Sequence, residues 1–207
     1  KRLKLGKLFQ YGDNLVICGN PVAMLMAVTG QSYMNENCFR QFDDRIQCCT
    51  SRFPEGERLA GFRSPHNSPN NIVYLENVYP EAVRKYFPDL GDNVIIINGI
   101  QTDVQSRLNG QDLDTDSIYA TNEKNIVELA EKAYREYPTI INDIKYGTNE
   151  YDKSMKSYSK MDAGISSAQY NIGLASNIAQ LALSYWFDSG CESKELEDVF
   201  IICSVLA

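Results

Sequence analysis

The hydrophobic pattern of this chain changes period once, at Thr121, and that change limits the folds open to it. Before Thr121 the apolar residues come in short runs rich in Val and Ile: Leu15-Val-Ile-Cys18, Ile46-Gln-Cys-Cys49, Ile72-Val-Tyr-Leu75, Val94-Ile-Ile-Ile97 and Ile118-Tyr-Ala120. Runs this short and this β-branched read as strands. Two helices interrupt them. Asn20 is placed to cap the first, with Pro21 in its opening turn, Val22 to Thr29 as its body and Gly30 as its stop; the second lies near Pro80 to Phe87. Short strands with inserted helices predict a small barrel.

After Thr121 the spacing becomes helical. Ile126, Leu129, Ala130, Ala133, Tyr134 and Tyr137 share one face behind Asn122 as the expected cap, and Pro138 ends the run. Residues 146–160 are polar and mixed and predict a loop. From Ile165 the chain is helical again: Ile172, Ala175, Ser176, Ala179, Leu183, Trp186 and Phe187 form a stripe that reads as packing, Gly190 marks a stop, and Ser193 can open a last helix. The expected fold class is therefore α+β, with a barrel over residues 1–121 and a helical extension over 122–207.

Charge and composition remove several functions. With 20 Lys and Arg against 27 Asp and Glu, the net charge of -7 lacks the cation excess by which a protein grips a phosphate backbone unaided. No apolar stretch approaches the roughly 20 residues that cross a bilayer, and the start, Lys-Arg-Leu-Lys-Leu-Gly-Lys, turns polar before a signal-peptide core could form. The expectation is a cytoplasmic protein without membrane contact. Six cysteines (Cys18, Cys38, Cys48, Cys49, Cys191 and Cys203) show no C-x-x-C spacing and are expected as reduced thiols, the Cys48-Cys49 pair buried. The lack of an initiator Met and an ending inside an apolar run lead us to expect a piece of a longer chain.

The segment that carries chemistry is Gly110-Gln-Asp112-Leu-Asp114-Thr-Asp116-Ser, three aspartates at alternating positions just before a strand. On a straight strand residues i and i+2 stand about 6.6 Å apart. Two oxygens on one magnesium ion, each about 2.1 Å from it, lie at most about 4.2 Å apart. For all three carboxylates to share an ion, the loop must curl. Carboxylates brought that close repel one another and hold protons unless a dication stands among them, so the functional reading predicts bound Mg2+. Such an ion serves phosphoryl and nucleotidyl transfer.

Asp112, Asp114, Asp116 and Glu123 also fall at positions one, three, five and twelve of an EF-hand calcium loop. Against that reading, position six is Ser117 where the turn wants Gly, and the upstream flank reads as strand and loop where a helix is required.

Two resemblances bear on the aspartates. Asp114-Thr-Asp-Ser-Ile-Tyr119 resembles the catalytic Asp-Thr-Asp-Ser motif of family B DNA polymerases. Those enzymes place an Asp-x-x-Ser-Leu-Tyr-Pro segment upstream, whereas the similar string here, Arg135-Glu-Tyr-Pro138, lies downstream. The other resemblance spans most of the chain. Asn109-Gly-Gln-Asp-Leu-Asp-Thr-Asp116 resembles the Asp-x-Asp-Gly-Asp metal loop of the double-psi β-barrel RNA polymerases, which include the largest subunit of cellular RNA polymerase and the silencing-type RNA-dependent enzymes. Phe62-Arg-Ser-Pro-His66 resembles that family's Arg-x-Pro segment, and Tyr170-Asn-Ile-Gly-Leu-Ala-Ser-Asn177 its Ile-Gly-x-x-x-Asn helix.

The resemblance implies a double-psi β-barrel of a cellular or phage-type enzyme that extends RNA on a nucleic-acid template from nucleoside triphosphates. It implies that Asp112, Asp114 and Asp116 hold Mg2+, that Arg63 contacts the sugar or phosphates of the incoming nucleotide, and that a second, lysine-bearing barrel completes the site. The chain alone would then be inactive. Three positions depart from the family pattern. Thr115 replaces the Gly of the tight turn, Gly110 stands where the cellular enzymes have Asn, and His66 follows Pro65 directly and reads as structural. Lys153, Lys156, Tyr158 and Lys160 could touch a nucleic-acid strand but read first as a solvated loop, and the basic start (Lys1, Arg2, Lys4, Lys7) as a charged first strand.

Overall fold

The computed structural model describes residues 9–140, 147 and 150–207, so the basic start and Tyr146 lie outside the described residues. Two compact units divide the chain, one of residues 1–64 and 70–140, the other of residues 65–69 and 141–207.

The first unit is a closed six-stranded barrel. Its strands are β1 (Asp13–Cys18), β2 (Ile46–Cys49), β3 (Arg58–Phe62), β4 (Ile72–Asn77), β5 (Val94–Ile97) and β6 (Ser117–Thr121), in the spatial order β1-β5-β2-β4-β3-β6. β1 runs parallel to β5 and antiparallel to β6; β4 runs parallel to β2 and antiparallel to β3. The antiparallel β2–β5 and β3–β6 pairs complete the ring. Exchanging the first three strands with the last three maps this set of pairings onto itself, so the halves interlock with approximate two-fold symmetry.

The period-2 alternation of strands fills the barrel. Leu15, Ile17, Ile46, Cys48, Leu59, Val73, Leu75, Ile95, Ile97, Ile118 and Ala120 point into one central cluster. The neighbours Cys49 and Ile96 point outward into a second cluster with Val22, Phe39 and Val83. That outer layer is supplied by α1 (Pro21–Val28) and α2 (Glu81–Tyr86), which explains why β5 reads as an unbroken apolar run: both faces are covered. The lumen is tight, and a Cβ on Gly61 would stand 2.6 Å from Ile118 Cδ1 and 2.7 Å from Val73 Cγ2.

All five predicted strands form, and α1 begins as expected, with the Asn20 side chain accepting hydrogen bonds from the Val22 and Ala23 amides. β3 has no counterpart in the sequence reading, because Arg58 and Gly61 break the apolar run that marks the others. The expected helix after Thr121 is α4 (Lys124–Glu136), but Asn122 does not cap it. Glu123 occupies the cap position, and the Asn122 Nδ2 donates to Glu57 Oε2 at 2.8 Å. Ala130 and Tyr134 bury that helix against β3 and β4, which is why the barrel unit extends to residue 140. A one-turn helix, α3 (Val104–Arg107), leads from β5 toward the acidic segment.

The second unit pairs α5 (Met155–Asp188) with α6 (Lys194–Leu206). The predicted loop is shorter than expected: the Ser154 hydroxyl accepts from the Ser157 amide, so residues 155–160 already belong to α5. Trp186 and Phe200 meet edge to face at 5.3 Å, beside Ala182 and Leu183. Of the predicted stripe, Ser176, Ala179, Leu183 and Trp186 are buried, whereas Ile172 and Phe187 are exposed. Gly190, at φ +79°, ends α5, and Ser193 caps α6 through the Leu196 amide. The six cysteines are unpaired thiols. Among the described residues no helix is long and apolar enough to cross a membrane.

Candidate metal centre

The acidic segment joins α3 to β6 through a turn that the backbone makes in two consecutive left-handed residues, Asn109 (φ +58°) and Gly110 (φ +70°). Asn and Gly are the residues that enter this region most readily. Gln111 is buried behind the turn, its amide donating to the Gln105 carbonyl at 3.0 Å. At the far end the Asp116 carbonyl accepts from the Ile17 amide of β1 at 2.8 Å, which pins the loop to the barrel wall.

Between these anchors the loop curls. One carboxylate oxygen each from Asp112, Asp114 and Asp116 lies within 4.8 Å of the other two, so alternate residues that a straight strand would separate are brought together. The Asp112 amide donates to Asp116 Oδ2 at 3.0 Å and the Asp114 amide to Asp112 Oδ1 at 3.3 Å. Leu113, between two of the carboxylates, lines an apolar cavity of about 820 Å3 with Val16, Met24 and Val94. Asp112 and Asp114 are exposed, and the Asp116 side chain is mostly buried.

The curl depends on Thr115, which sits at φ +99°. The backbone there adopts a conformation that favours glycine although the residue is β-branched. A non-glycine residue held in such a region costs on the order of 1–3 kcal/mol. Thr115→Gly is therefore expected to raise stability by about 1 kcal/mol, the relief being partly offset by the greater freedom of glycine in the unfolded chain; a denaturant melt that shows no gain would refute the strain.

Arg63, expected to contact an incoming nucleotide, packs against the acidic loop. It follows β3, whose Phe62 pairs with Tyr119 of β6, and its guanidinium turns onto the acidic loop. Nη2 stands 2.7 Å from Asp116 Oδ2, and Nη1 donates to the carbonyls of Leu108 at 3.3 Å and Asn109 at 3.0 Å. No local spacing signals this contact, because the partners are far apart in sequence.

Asp116 and Asp114 shift in opposite directions. Burial pushes the Asp116 carboxyl up, but the Arg63 hydrogen bond, the Asp112 amide and the Arg63 charge outweigh it and hold the group below its ordinary value. Asp114 is raised, first by a side-chain hydrogen bond with Asp112, then by the Asp112 charge and by lesser contributions from burial and Asp116. Asp114 thus keeps its proton into a higher pH range than an isolated carboxyl would.

The donor set is three hard carboxylate oxygens with no His or Cys, which suits Mg2+, Mn2+ or Ca2+. The 4.8 Å bound lies inside the limit of about 5.2 Å for calcium and within small side-chain rotations of the limit of about 4.2 Å for magnesium. A cation here competes with the proton that Asp114 retains. Metal affinity is accordingly expected to rise with pH as Asp114 deprotonates, with proton uptake by the buffer on metal addition; calorimetry in two buffers of different ionisation enthalpy measures it, and a pH-independent affinity would contradict the assignment.

The EF-hand arrangement is not formed. Residues 117–121, the middle of the required twelve-residue loop, are strand β6, spanning roughly 16 Å of extended chain. Glu123 lies beyond that strand, at the start of α4. The helical Ile-Gly-x-x-x-Asn segment lies in the exposed part of α5 before Ser176, in the second unit, with Asn177 also exposed.

The sequence matches no protein-family model, and a search of curated proteins returns no match.

Proposed function

We propose that this chain is the catalytic barrel of a nucleotidyltransferase, an RNA polymerase of the double-psi β-barrel type, with Mg2+ held by Asp112, Asp114 and Asp116. One observation carries the reading: three carboxylates at alternating positions converge in a curled loop between α3 and the barrel strand β6. The interlocked, self-mapping strand order of the barrel supports the double-psi assignment beneath it.

When bound, the ion supplies a Lewis acid that lowers the pKa of an RNA 3′-hydroxyl and offsets charge on the phosphate. The chain's own residues prepare that role. The Asp112 and Asp114 amides and the Arg63 guanidinium orient the carboxylates before any ligand arrives, so little reorganisation remains at the moment of reaction. Arg63 Nε is buried without a hydrogen-bond partner beside the loop, and the reading assigns this guanidinium to the sugar or phosphates of an incoming nucleoside triphosphate. The net negative charge leaves the neutralising of substrate phosphates to a partner, for which a second barrel bearing lysines is the proposed source. Template and RNA product complete the partners, and the reading places the enzyme in the cytoplasm of a cell or phage-infected host.

The test is incorporation of ribonucleotides by the full-length protein with Mg2+ and primed DNA or RNA templates. Product that requires both Mg2+ and template supports the reading; no incorporation on either template overturns it.

A further inference from the structure

We infer that Arg63 is a positioning residue, a clamp that joins the two ends of the acidic loop and so sets the geometry of the carboxylate triad. The inference rests on the triad being a metal site, as proposed above, and asks nothing about which reaction the metal serves.

Three bonds carry it. At the start of the loop, Nη1 donates to the carbonyls of Leu108 and Asn109, which the end of α3 leaves without helical partners. At its end, Nη2 holds Asp116 Oδ2 at 2.7 Å. One planar group thus spans the segment that must curl, and its donors are fixed relative to one another, which a lysine ammonium cannot reproduce. The arginine is itself seated on the barrel, because β3 lies beside β6, the strand into which the loop runs. Its side chain and that of Asp116 are each about four-fifths buried, at 18% and 20% exposure, so water competes weakly for the pair.

The clamp also selects which oxygen of Asp116 faces the cation. Oδ2 accepts from both Arg63 and the Asp112 amide, so Oδ1 is the oxygen whose lone pairs remain uncommitted for a cation. Without Arg63 the carboxylate regains its rotamers, and the turn at Asn109 and Gly110 loses the donors that satisfy its carbonyls. A residue that acts in this way resembles the outer-sphere partners of metal ligands, whose loss commonly weakens metal binding 10–100-fold.

The experiment compares wild type, Arg63→Lys and Arg63→Gln in the full-length protein, with Mn2+ alone as probe and no nucleotide present. Arg63→Gln is expected to weaken Mn2+ binding by about 10–100-fold, with Arg63→Lys between it and wild type because the charge beside Asp116 is kept and the carbonyl bonds are lost. Amide hydrogen exchange read on the same samples separates the clamp from misfolding: protection of the Asp112 amide falls in Arg63→Gln while that of the Ile95 and Ile96 amides in the barrel stays. Wild-type Mn2+ affinity in Arg63→Gln, accompanied by a raised KM for nucleotide, overturns the clamp and leaves the polymerase reading standing. Weakened Mn2+ binding in a protein that makes no RNA leaves the clamp standing and removes the polymerase. Loss of protection throughout the barrel in both variants, or no Mn2+ binding by wild type at millimolar metal, overturns the clamp as well.

Discussion

Asp114→Asn in the full-length protein is expected to lower RNA synthesis by about 10²–10³-fold, the size of effect that follows removal of one preorganised electrostatic contact from a reacting centre. The substitution keeps the shape of the side chain and removes a charge that the cation needs. It also mimics the protonated form toward which Asp114 is shifted, since its carboxyl is raised by the hydrogen bond to Asp112 and by the charge of that neighbour. Removing one of two repelling charges should therefore leave the metal-free fold at least as stable as wild type. Lost activity with an unchanged melting curve ties the effect to the metal. Synthesis at the wild-type rate would show that this carboxylate has no part in the reaction. Glu123→Gln serves as the companion, because Glu123 lies beyond β6 and is expected to leave both metal binding and synthesis unchanged.

The second large effect concerns stability. Arg107 is 3% exposed, and its guanidinium is spread over the carbonyls of Ile72 (2.8 Å), Tyr134 (3.2 Å) and Tyr137 (2.9 Å) and the Thr139 hydroxyl (3.3 Å), with the Tyr134 ring 4.1 Å from it. Tyr134 and Tyr137 supply the last carbonyls of α4, which lack helical partners, while Ile72 belongs to β4. One buried side chain thus caps α4 and fastens it to the barrel. Burial lowers the pKa of Arg107 from its ordinary value, and the groups nearby oppose that shift, so the charge persists. Arg107→Leu removes every donor and leaves several buried carbonyls unpaired, at a cost of about 3–5 kcal/mol. For a chain of this size that lowers Tm on the order of 10 °C. A loss under about 1 kcal/mol would mean that the carbonyls find water or that α4 re-seats.

Much of the fold was legible because it rests on local periodicity. The β-branched runs that became β1, β2, β4, β5 and β6 are short and apolar, and the caps at Asn20 and Ser193 lie within three residues of the amides they serve. What failed was decided by tertiary contacts. β3 carries Arg58 and Gly61, the latter because the barrel lumen has no room for a Cβ there, and packing constraints of that kind leave no periodic mark. Asn122 had the right chemistry for a cap, but Glu57 on another segment took its side chain.

Order and spacing along the chain fixed the composition of the acidic loop and the condition it must satisfy: aspartates at alternate positions can share an ion only if the backbone turns. Whether it turns was decided by contacts that the sequence does not announce. The Arg63 guanidinium, the Gln105 carbonyl and the Ile17 amide each reach the loop from elsewhere, and Thr115 accepts a glycine conformation because those anchors outweigh its preference. Neighbour preferences act over a few residues, whereas the position of a carboxylate in space is set by whatever the closed barrel brings against it.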